Sequence, residues 1–381
     1  MQAYGRISTL KHMSRSKSCK AGDFYNFAGK YSLHIMRRHF QTDKFPSGHR
    51  PGIDILRIWM SYEVVLMHLC DFRECAFFPP LDIFRYCVFM AVPAFMFVSF
   101  LLTGRHFVTL TQNREYPVSR CKRLAVPIIF WSLVYLLVYL CVQSFFGVDF
   151  DVRVSDLLPQ LFLGHAYAHP LWFLNVMLYL TLILSSIMSI KSYRFKTMIL
   201  CALVVMSFVT EYTGLERRLV DDMSDEYKYP VGRLIEMMPY ACVAILMRMH
   251  TKMLSPYFIA ICIVLAVLCR YLLAPFHIFS LGYAGLPLFF EVIAMCLILC
   301  LGRFGFIRGR MKEIISSIAS LTLGIFCVHV LMGQFLFAFI LPSIGLAGRT
   351  LLSCLIVYLV SLLVSMGIYR MPLKYCREAV S

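Results

Sequence analysis

One strongly apolar segment near the start of the chain carries polar residues at a spacing that could support chemistry. Residues 57–68 read RIWMSYEVVLMH, so Arg57 and His68 are eleven positions apart. In an α-helix this spacing puts them about 20° apart around the axis and about 16 Å apart along it. Asp54 and Ser61 fall on the same face as Arg57. An ionisable side chain within a membrane helix costs roughly 2.5–3.5 kcal/mol on insertion scales and usually has a function.

The chemistry that this face favours is a reaction between an anionic donor and an acceptor that gives up a proton. Asp54 can hydrogen-bond to Arg57 and fix its guanidinium, which stays charged and suits phosphate oxygens. His68 can accept and return a proton near neutral pH. We interpret Asp54, Arg57 and His68 as candidate catalytic residues that line a polar cavity. The alternative is a polar contact between two helices.

The composition of the chain is that of a helical membrane protein. Of its 381 residues, 60% are hydrophobic and 15% are charged, against about 25% charged in a typical soluble domain. A spanning helix needs about 20 mostly apolar residues. The predicted fold is an all-α polytopic membrane protein with about ten transmembrane helices, near residues 54–72, 83–104, 124–146, 169–190, 195–213, 231–249, 254–274, 285–302, 315–341 and 349–369.

The basic residues are distributed unevenly along the chain. A net charge of +16 would by itself suit nucleic-acid binding. However, Lys and Arg concentrate in the two tails and in the loops on one side of the predicted spans, which is the positive-inside pattern of membrane proteins. We therefore predict that both termini are cytoplasmic and that membrane lipids, not nucleic acid, are the partners of these charges.

The chain divides into one membrane domain with a tail at each end. Residues 1–50 are polar and basic and lack the apolar core of a signal peptide, so we expect a disordered cytoplasmic tail. Residues 51–370 form the transmembrane domain, and residues 371–381 form a short cytoplasmic tail. The fifteen cysteines include no CxxC pair and no Cys/His cluster at metal-ligand spacing. We therefore predict no metal site.

Five blocks of sequence resemble, in order, motifs of the membrane-bound acyltransferase-3 family. RPGIDILRIWMSYEVVLMH (50–68) is similar to the family's first helix, which carries Asp-x-x-Arg and then Arg, ten residues and His. VPAFMFVSFLL (92–102) and RCKRLAVPIIFW (120–131) resemble its second helix and the start of its third. HPLWFLNVMLYL (169–180) resembles its Leu-Trp-Phe-Leu helix, and LTLGIFCVHVLM (321–332) its late Gly-Ile-Tyr-x-x-His helix. The resemblance covers roughly residues 50–370.

Two positions depart from the family pattern. Phe100 follows Ser99 where the family usually has glycine, so the close backbone approach that glycine would allow is not expected. Phe326 replaces the usual tyrosine, which removes a hydroxyl near His329. Neither departure affects Arg57 or His68.

The resemblance implies acyl transfer from acyl-CoA, usually acetyl-CoA, to a hydroxyl of a cell-envelope glycan or lipid-linked sugar in a bacterial inner membrane. A thioester is already activated, so the enzyme needs a base for the hydroxyl and a stabiliser for the oxyanion. His68 is the best candidate base, and a transient acyl-histidine is the alternative. Arg57 could bind the donor or face the oxyanion. Acetyl or succinyl as the transferred group, O- or N-acylation and the identity of the acceptor all stay open.

The same resemblance suggests binding residues. Arg120 and Arg123 lie at i and i+3 at the cytoplasmic start of the third helix, where a pair of arginines could hold the phosphates of CoA. The alternative is that they anchor the helix to lipid headgroups. Ser99, Trp172 and His329 are the candidate substrate residues. Trp172 could stack on a sugar or belong to the interfacial aromatic belt, and His329 could contact the substrate or be an ordinary buried histidine.

A secondary transporter is the main alternative function, because transporters also combine many spans with rare intramembrane charges. The sequence shows no internal repeat and no matched pair of helices broken by Gly or Pro. A non-catalytic membrane scaffold would not need arginine and histidine on one helix face. Labelling of a glycan from acyl-CoA would indicate the enzyme, and substrate flux across sealed vesicles would indicate the transporter.

Overall fold

The computed structural model describes much of the chain beyond residue 50. Helices are the only regular secondary structure in the described residues, so the all-α prediction is confirmed for them. These residues belong to one compact unit, Pro51–Ser381, and the predicted tail at 1–50 lies outside them. The described residues are 51–69, 90–108, 115–146, 153–164, 167–213, 225–250, 255–273, 285–302, 304–344, 350–372 and 374–380.

Thirteen α-helices run through the described residues and are numbered here in chain order. They are α1 (Pro51–Leu69), α2 (Ala91–Val108), α3 (Glu115–Phe146), α4 (Leu157–Leu163), α5 (Trp172–Met188), α6 (Tyr193–Tyr212), α7 (Asp225–Met249), α8 (Pro256–Leu273), α9 (Leu286–Leu301), α10 (Gly309–Ser320), α11 (Thr322–Phe335), α12 (Leu351–Arg370) and α13 (Lys374–Val380). Short 3-10 segments form at Val154–Asp156, His169–Leu171 and Pro342–Ile344, and a π-helical turn at Leu336–Ile340 extends α11.

Each of the ten predicted spans overlaps a helix of the described residues, and the protein is a multi-pass membrane protein. Six helical segments of the described residues are long and apolar enough to cross a membrane: Glu115–Phe145, His169–Met188, Tyr193–Thr210, Tyr229–Met249, Thr322–Ile340 and Leu351–Arg370. Shorter apolar segments lie in α2, α8 and α9 and at Val154–Leu163. The count of ten spans and the cytoplasmic position of both termini stay predictions.

Helix α1, which carries the candidate catalytic residues, lies in the interior of the bundle. It packs against α2, α9, α10, α11 and α12. Leu56, Met60 and Val64 on this helix are fully buried. Glu63 is buried too, and the indole N–H of Trp59 donates a hydrogen bond to its carboxyl group. Because protein surrounds α1, its polar side chains are directed at other helices rather than at lipid, as is usual for charged residues in membrane helices.

Close contacts with glycines fix both ends of α1. A Cβ on Gly52, near its first residue, would collide with the backbone oxygen of Leu299 at the end of α9. At its other end, Leu69 packs so tightly on Gly333 of α11 that a Cβ there would lie 2.7 Å from the Leu69 Cδ1. The absence of a side chain lets the Leu299 backbone pack on Gly52 and the Leu69 side chain pack on Gly333. This packing holds the Arg57–His68 segment in one position.

The ninth predicted span, residues 315–341, begins at a different place in the structure. Helix α10 continues to Ser320, and α11 begins at Thr322, with Leu321 between them at φ −98° and ψ 0°. Neither Gly nor Pro lies at Leu321, so no helix breaker marks the bend, although Ser316, Ser317 and Ser320 interrupt the apolar run just before it. The preceding helix α10 packs against α1 and exposes Met311 and Ile314.

The segment that the sequence analysis treated as a short tail, 371–381, contains helix α13. Its residues Cys376, Ala379 and Val380 are buried, and the helix packs against α3, α11 and α12. The indole N–H of the buried Trp131 donates a hydrogen bond to the Ala379 carbonyl, at 2.9 Å. This helix is therefore part of the bundle.

Candidate active site

Two of the predicted catalytic residues meet near the start of α1. The Asp54 carboxylate lies close enough to Arg57 for the two charges to attract each other, as the i, i+3 spacing predicts. Both side chains are half-buried. Ser61, which was expected to line the same cavity, is instead fully buried. Its hydroxyl donates to the Ile58 carbonyl at 2.8 Å and lies 3.3 Å from the Tyr358 hydroxyl, so it belongs to the contact between α1 and α12.

The end of α1 brings His68 next to His329 of α11. The centres of the two imidazole rings are 5.2 Å apart, and the rings are tilted by 46°. The His68 ring has many protein atoms around it, yet part of its surface is accessible. His329, by contrast, is fully buried. Two candidate residues far apart in the chain thus form one pair.

The hydrogen bonds of His329 determine which of its nitrogens carries hydrogen. Its Nδ1 lies 2.8 Å from the Phe326 carbonyl and 3.3 Å from the Ile325 carbonyl. A carbonyl can only accept, so Nδ1 must be the donor and the neutral ring has its lone pair on Nε2. The Nε2 atom is buried and has no hydrogen-bond partner among the described residues.

A third histidine lies near this pair. His169 begins the 3-10 segment that packs against α11. Its side chain is exposed and lies close enough to His68 for a charge on one ring to act on the other. The sequence gives no sign of this role, because His169 lies far from His68 in the chain. Its neighbour His165 lies outside the described residues.

Aromatic side chains form an apolar wall beside the histidines. The rings of Phe95, Phe173 and Phe326 are in mutual contact, with centres 5.2 to 6.4 Å apart. The ring of Phe326 also lies 6.2 Å from that of His329. An apolar wall lowers the local dielectric, which strengthens polar interactions at its edge.

The predicted sugar-stacking residue, Trp172, is covered by other side chains. It is only 4% exposed. The Arg233 guanidinium lies 5.5 Å from the Trp172 ring and 4.8 Å from the Tyr229 ring. Arg233 in turn donates to the Glu236 carboxylate at 2.6 Å. A sugar could stack on Trp172 only after Arg233 moved. The Arg-x-x-Glu spacing at the start of α7 was visible in the sequence, but its position over Trp172 was not.

The two predicted CoA-binding arginines have different surroundings. Arg120 is 5% exposed, whereas Arg123 is exposed. The guanidinium of Arg120 donates to the hydroxyls of Ser99, Thr103 and Thr181 at 2.9, 2.9 and 3.0 Å. These bonds join α3 to α2 and α5. Arg120 and Ser99 thus contact each other, and the sequence analysis missed both threonines.

Phe100, the residue that stands in place of the family's glycine, takes part in this contact. The Arg120 guanidinium lies 4.7 Å from the centre of its ring, a distance that suits a cation–π interaction.

Among the described residues, no group of three or more His, Cys, Asp or Glu is placed to hold a metal ion.

The fold and site therefore describe a multi-pass helical membrane protein with a histidine pair inside its bundle. A family model described as an acyltransferase domain matches residues 50–370. The chain belongs to this family, acyltransferase-3, as the sequence motifs predicted. A search of curated proteins found no match, and neither did a search of solved structures.

Proposed function

We propose that the protein moves an acyl group from acyl-CoA to a hydroxyl of a cell-envelope glycan or lipid-linked sugar in a bacterial inner membrane. Acetyl-CoA is the donor we propose. The family supports acyl transfer. The observation that carries the proposal further is the position of His68, whose ring is accessible and lies beside the buried His329.

In the proposed reaction, His68 acts as the general base. It takes the proton of the acceptor hydroxyl while the oxygen attacks the thioester carbon. The tetrahedral oxyanion then collapses, the carbon–sulfur bond breaks, and His68 returns its proton to the CoA thiolate. The new ester and CoA are the products, so no proton is gained or lost overall.

Arg57 and Asp54 supply the charge in this proposal. The guanidinium binds either the donor or the oxyanion, and the carboxylate holds it in place through their electrostatic attraction. Because Arg57 is half-buried and surrounded by protein, an anion beside it would be shielded from water and held more strongly than at the surface.

On the donor side, we propose that Arg120 and Arg123 have separate tasks. The exposed Arg123 can reach the phosphates of CoA. Arg120 uses its guanidinium to hold α2, α3 and α5 together through Ser99, Thr103 and Thr181. Ser99 therefore contributes to the site through Arg120.

On the acceptor side, we propose that the sugar enters near Trp172 and His169. The exposed His169 and the half-buried Tyr229 offer polar groups, with ring centres 6.4 Å apart. Arg233 lies over Trp172 and is held by Glu236, so the two provide further hydrogen-bonding groups beside an aromatic surface.

The experiment that tests the proposed function uses membranes containing either the wild type or His68→Ala at matched levels. Radiolabelled acetyl-CoA and lipid-linked glycans from the host are added, and label is counted in the glycan fraction. Label with the wild type and none with the variant is the expected result. Equal label from both would remove His68 from the chemistry. No label from either would contradict acetyl transfer to these acceptors, and flux across sealed vesicles would then test for a transporter.

A further inference from the structure

The Nε2 atom of His329 is buried and polar, and the proposed reaction assigns no role to it. Its lone pair is fixed by the hydrogen bond from Nδ1 to the Phe326 carbonyl. No described residue donates to it. A buried acceptor without a donor is unfavourable, and such atoms in native structures usually have an explanation.

A group beside His329 that can supply a donor is the imidazole of His68. When two imidazoles face each other through one hydrogen bond, their nitrogens are roughly 3 Å apart, and the ring centres then lie about two ring radii further apart. The observed separation of 5.2 Å between ring centres matches this distance. A rotation of the exposed His68 ring would therefore complete the bond without moving either helix.

We propose that His329 is a positioning residue for His68 and that the two form a catalytic dyad. This inference rests on the proposed function. One nitrogen of His68 carries hydrogen and donates to His329 Nε2. The other nitrogen is thereby left unprotonated, on the accessible side of the ring, where the acceptor hydroxyl arrives. When His68 takes the hydroxyl proton, the bond to His329 stabilises the imidazolium until the proton passes to the CoA thiolate. His329 itself neither gains nor loses a proton.

The arrangement follows the logic of a nucleophile, a base and an orienting group, in which the third residue holds the base in the correct tautomer. His329 has the orienting role here, and the Phe326 carbonyl fixes His329 in turn. Because Phe326 has no hydroxyl of its own, the side chain at this position cannot compete with His68 for Nε2.

The test compares two substitutions of His329. His329→Leu keeps an apolar side chain of moderate size but cannot accept a hydrogen bond. His329→Gln places an amide oxygen that can accept one. We expect the leucine variant to lower kcat about 100-fold, in line with the loss of a group that assists proton transfer, with the KM of donor and acceptor little changed. The glutamine variant should recover about tenfold of that loss. His250→Leu, at a histidine that contacts Tyr193 away from the site, is the matched control and should keep wild-type kcat.

A merely structural role would give a different pattern. Both His329 variants would then lose thermal stability together, or both KM values would rise, with no advantage for glutamine. Any of these results would overturn the proposal, and so would wild-type kcat in the leucine variant.

A spectroscopic measurement separates this inference from the proposed function. The ¹⁵N shifts of histidine-labelled protein report which ring nitrogen carries hydrogen, and the His68 signals are those missing from His68→Ala. We expect one tautomer of His68 in the wild type and a mixture in His329→Leu. An unchanged tautomer would refute the dyad even in an active acyltransferase. A protein that shows this change but transfers no acyl group would retain the dyad and refute the proposed reaction.

Discussion

Substitutions of Arg120 can distinguish two roles for this residue: holding three helices together and binding CoA. Its guanidinium donates to three hydroxyls, on Ser99, Thr103 and Thr181, and lies against Phe100. We expect Arg120→Lys, which keeps the charge, to destabilise the protein more than Arg120→Met, which removes it. If Arg120 served mainly to attract phosphate, the lysine variant would be as stable as the wild type, and the methionine variant would bind CoA more weakly.

The expected magnitudes follow from the contacts. A hydrogen bond to a charged group contributes about 1.5–3 kcal/mol. Lysine places its donors at one point and can retain about one of the three bonds, so the loss of two bonds costs about 3–6 kcal/mol while the charge stays buried. Methionine loses all three bonds. It also removes the buried charge, whose desolvation costs several kcal/mol, so the net cost should be smaller, about 1–3 kcal/mol.

The assay measures thermal unfolding of the purified protein in detergent, together with binding of CoA to each variant. We expect the unfolding midpoint to fall in the order wild type, Arg120→Met, Arg120→Lys. Arg123→Lys and Arg123→Met are the matched controls and should unfold like the wild type, because Arg123 is exposed. A lysine variant as stable as the wild type, with weaker CoA binding in the methionine variant alone, would refute the reasoning.

Three further predictions concern the packing of α1, the helix α13 and the acceptor side. Gly52→Ala should destabilise the protein by about 1–3 kcal/mol, because its Cβ meets a backbone oxygen at the end of α9 that cannot rotate away; an unfolding midpoint equal to the wild type would contradict this. Trp131→Phe should cost about 1 kcal/mol by removing the bond to the Ala379 carbonyl, and faster protease cleavage within α13 would report it, whereas unchanged cleavage would not fit. Glu236→Gln should weaken the hold on Arg233 and raise the acceptor KM several-fold with donor KM unchanged; a rise in donor KM alone would place this pair on the wrong side of the reaction.

The sequence predicted the helices well because bilayer-spanning segments need long apolar runs. Each of the ten predicted spans overlaps a helix of the described residues, and Asp54 lies close to Arg57 as their spacing predicts. The break at Leu321 was missed, since neither Gly nor Pro marks it.

The same helical periodicity was less informative about contacts between helices. Arg120 and Arg123 are three residues apart and were expected to share one environment. The first is buried among hydroxyls and the second is exposed. Neighbouring residues differ by about 100° around the helix axis. Two side chains three residues apart still differ by about 60°. At the edge of a helix contact, that angle decides which side chain points inward.

By itself, the sequence determined that the chain is a helical membrane protein, that Arg57 and His68 share one helix face, and that its motifs are those of acyltransferase-3. These properties depend on composition, on the period of a single helix and on residue order, all of which are local. Tertiary structure decided that His68 meets His329, that Arg233 covers Trp172 and that Arg120 is bound by three hydroxyls. Each of these contacts joins different helices, and it depends on how the helices rotate and shift against one another. That arrangement is set by side-chain packing over the whole bundle, which no single segment encodes.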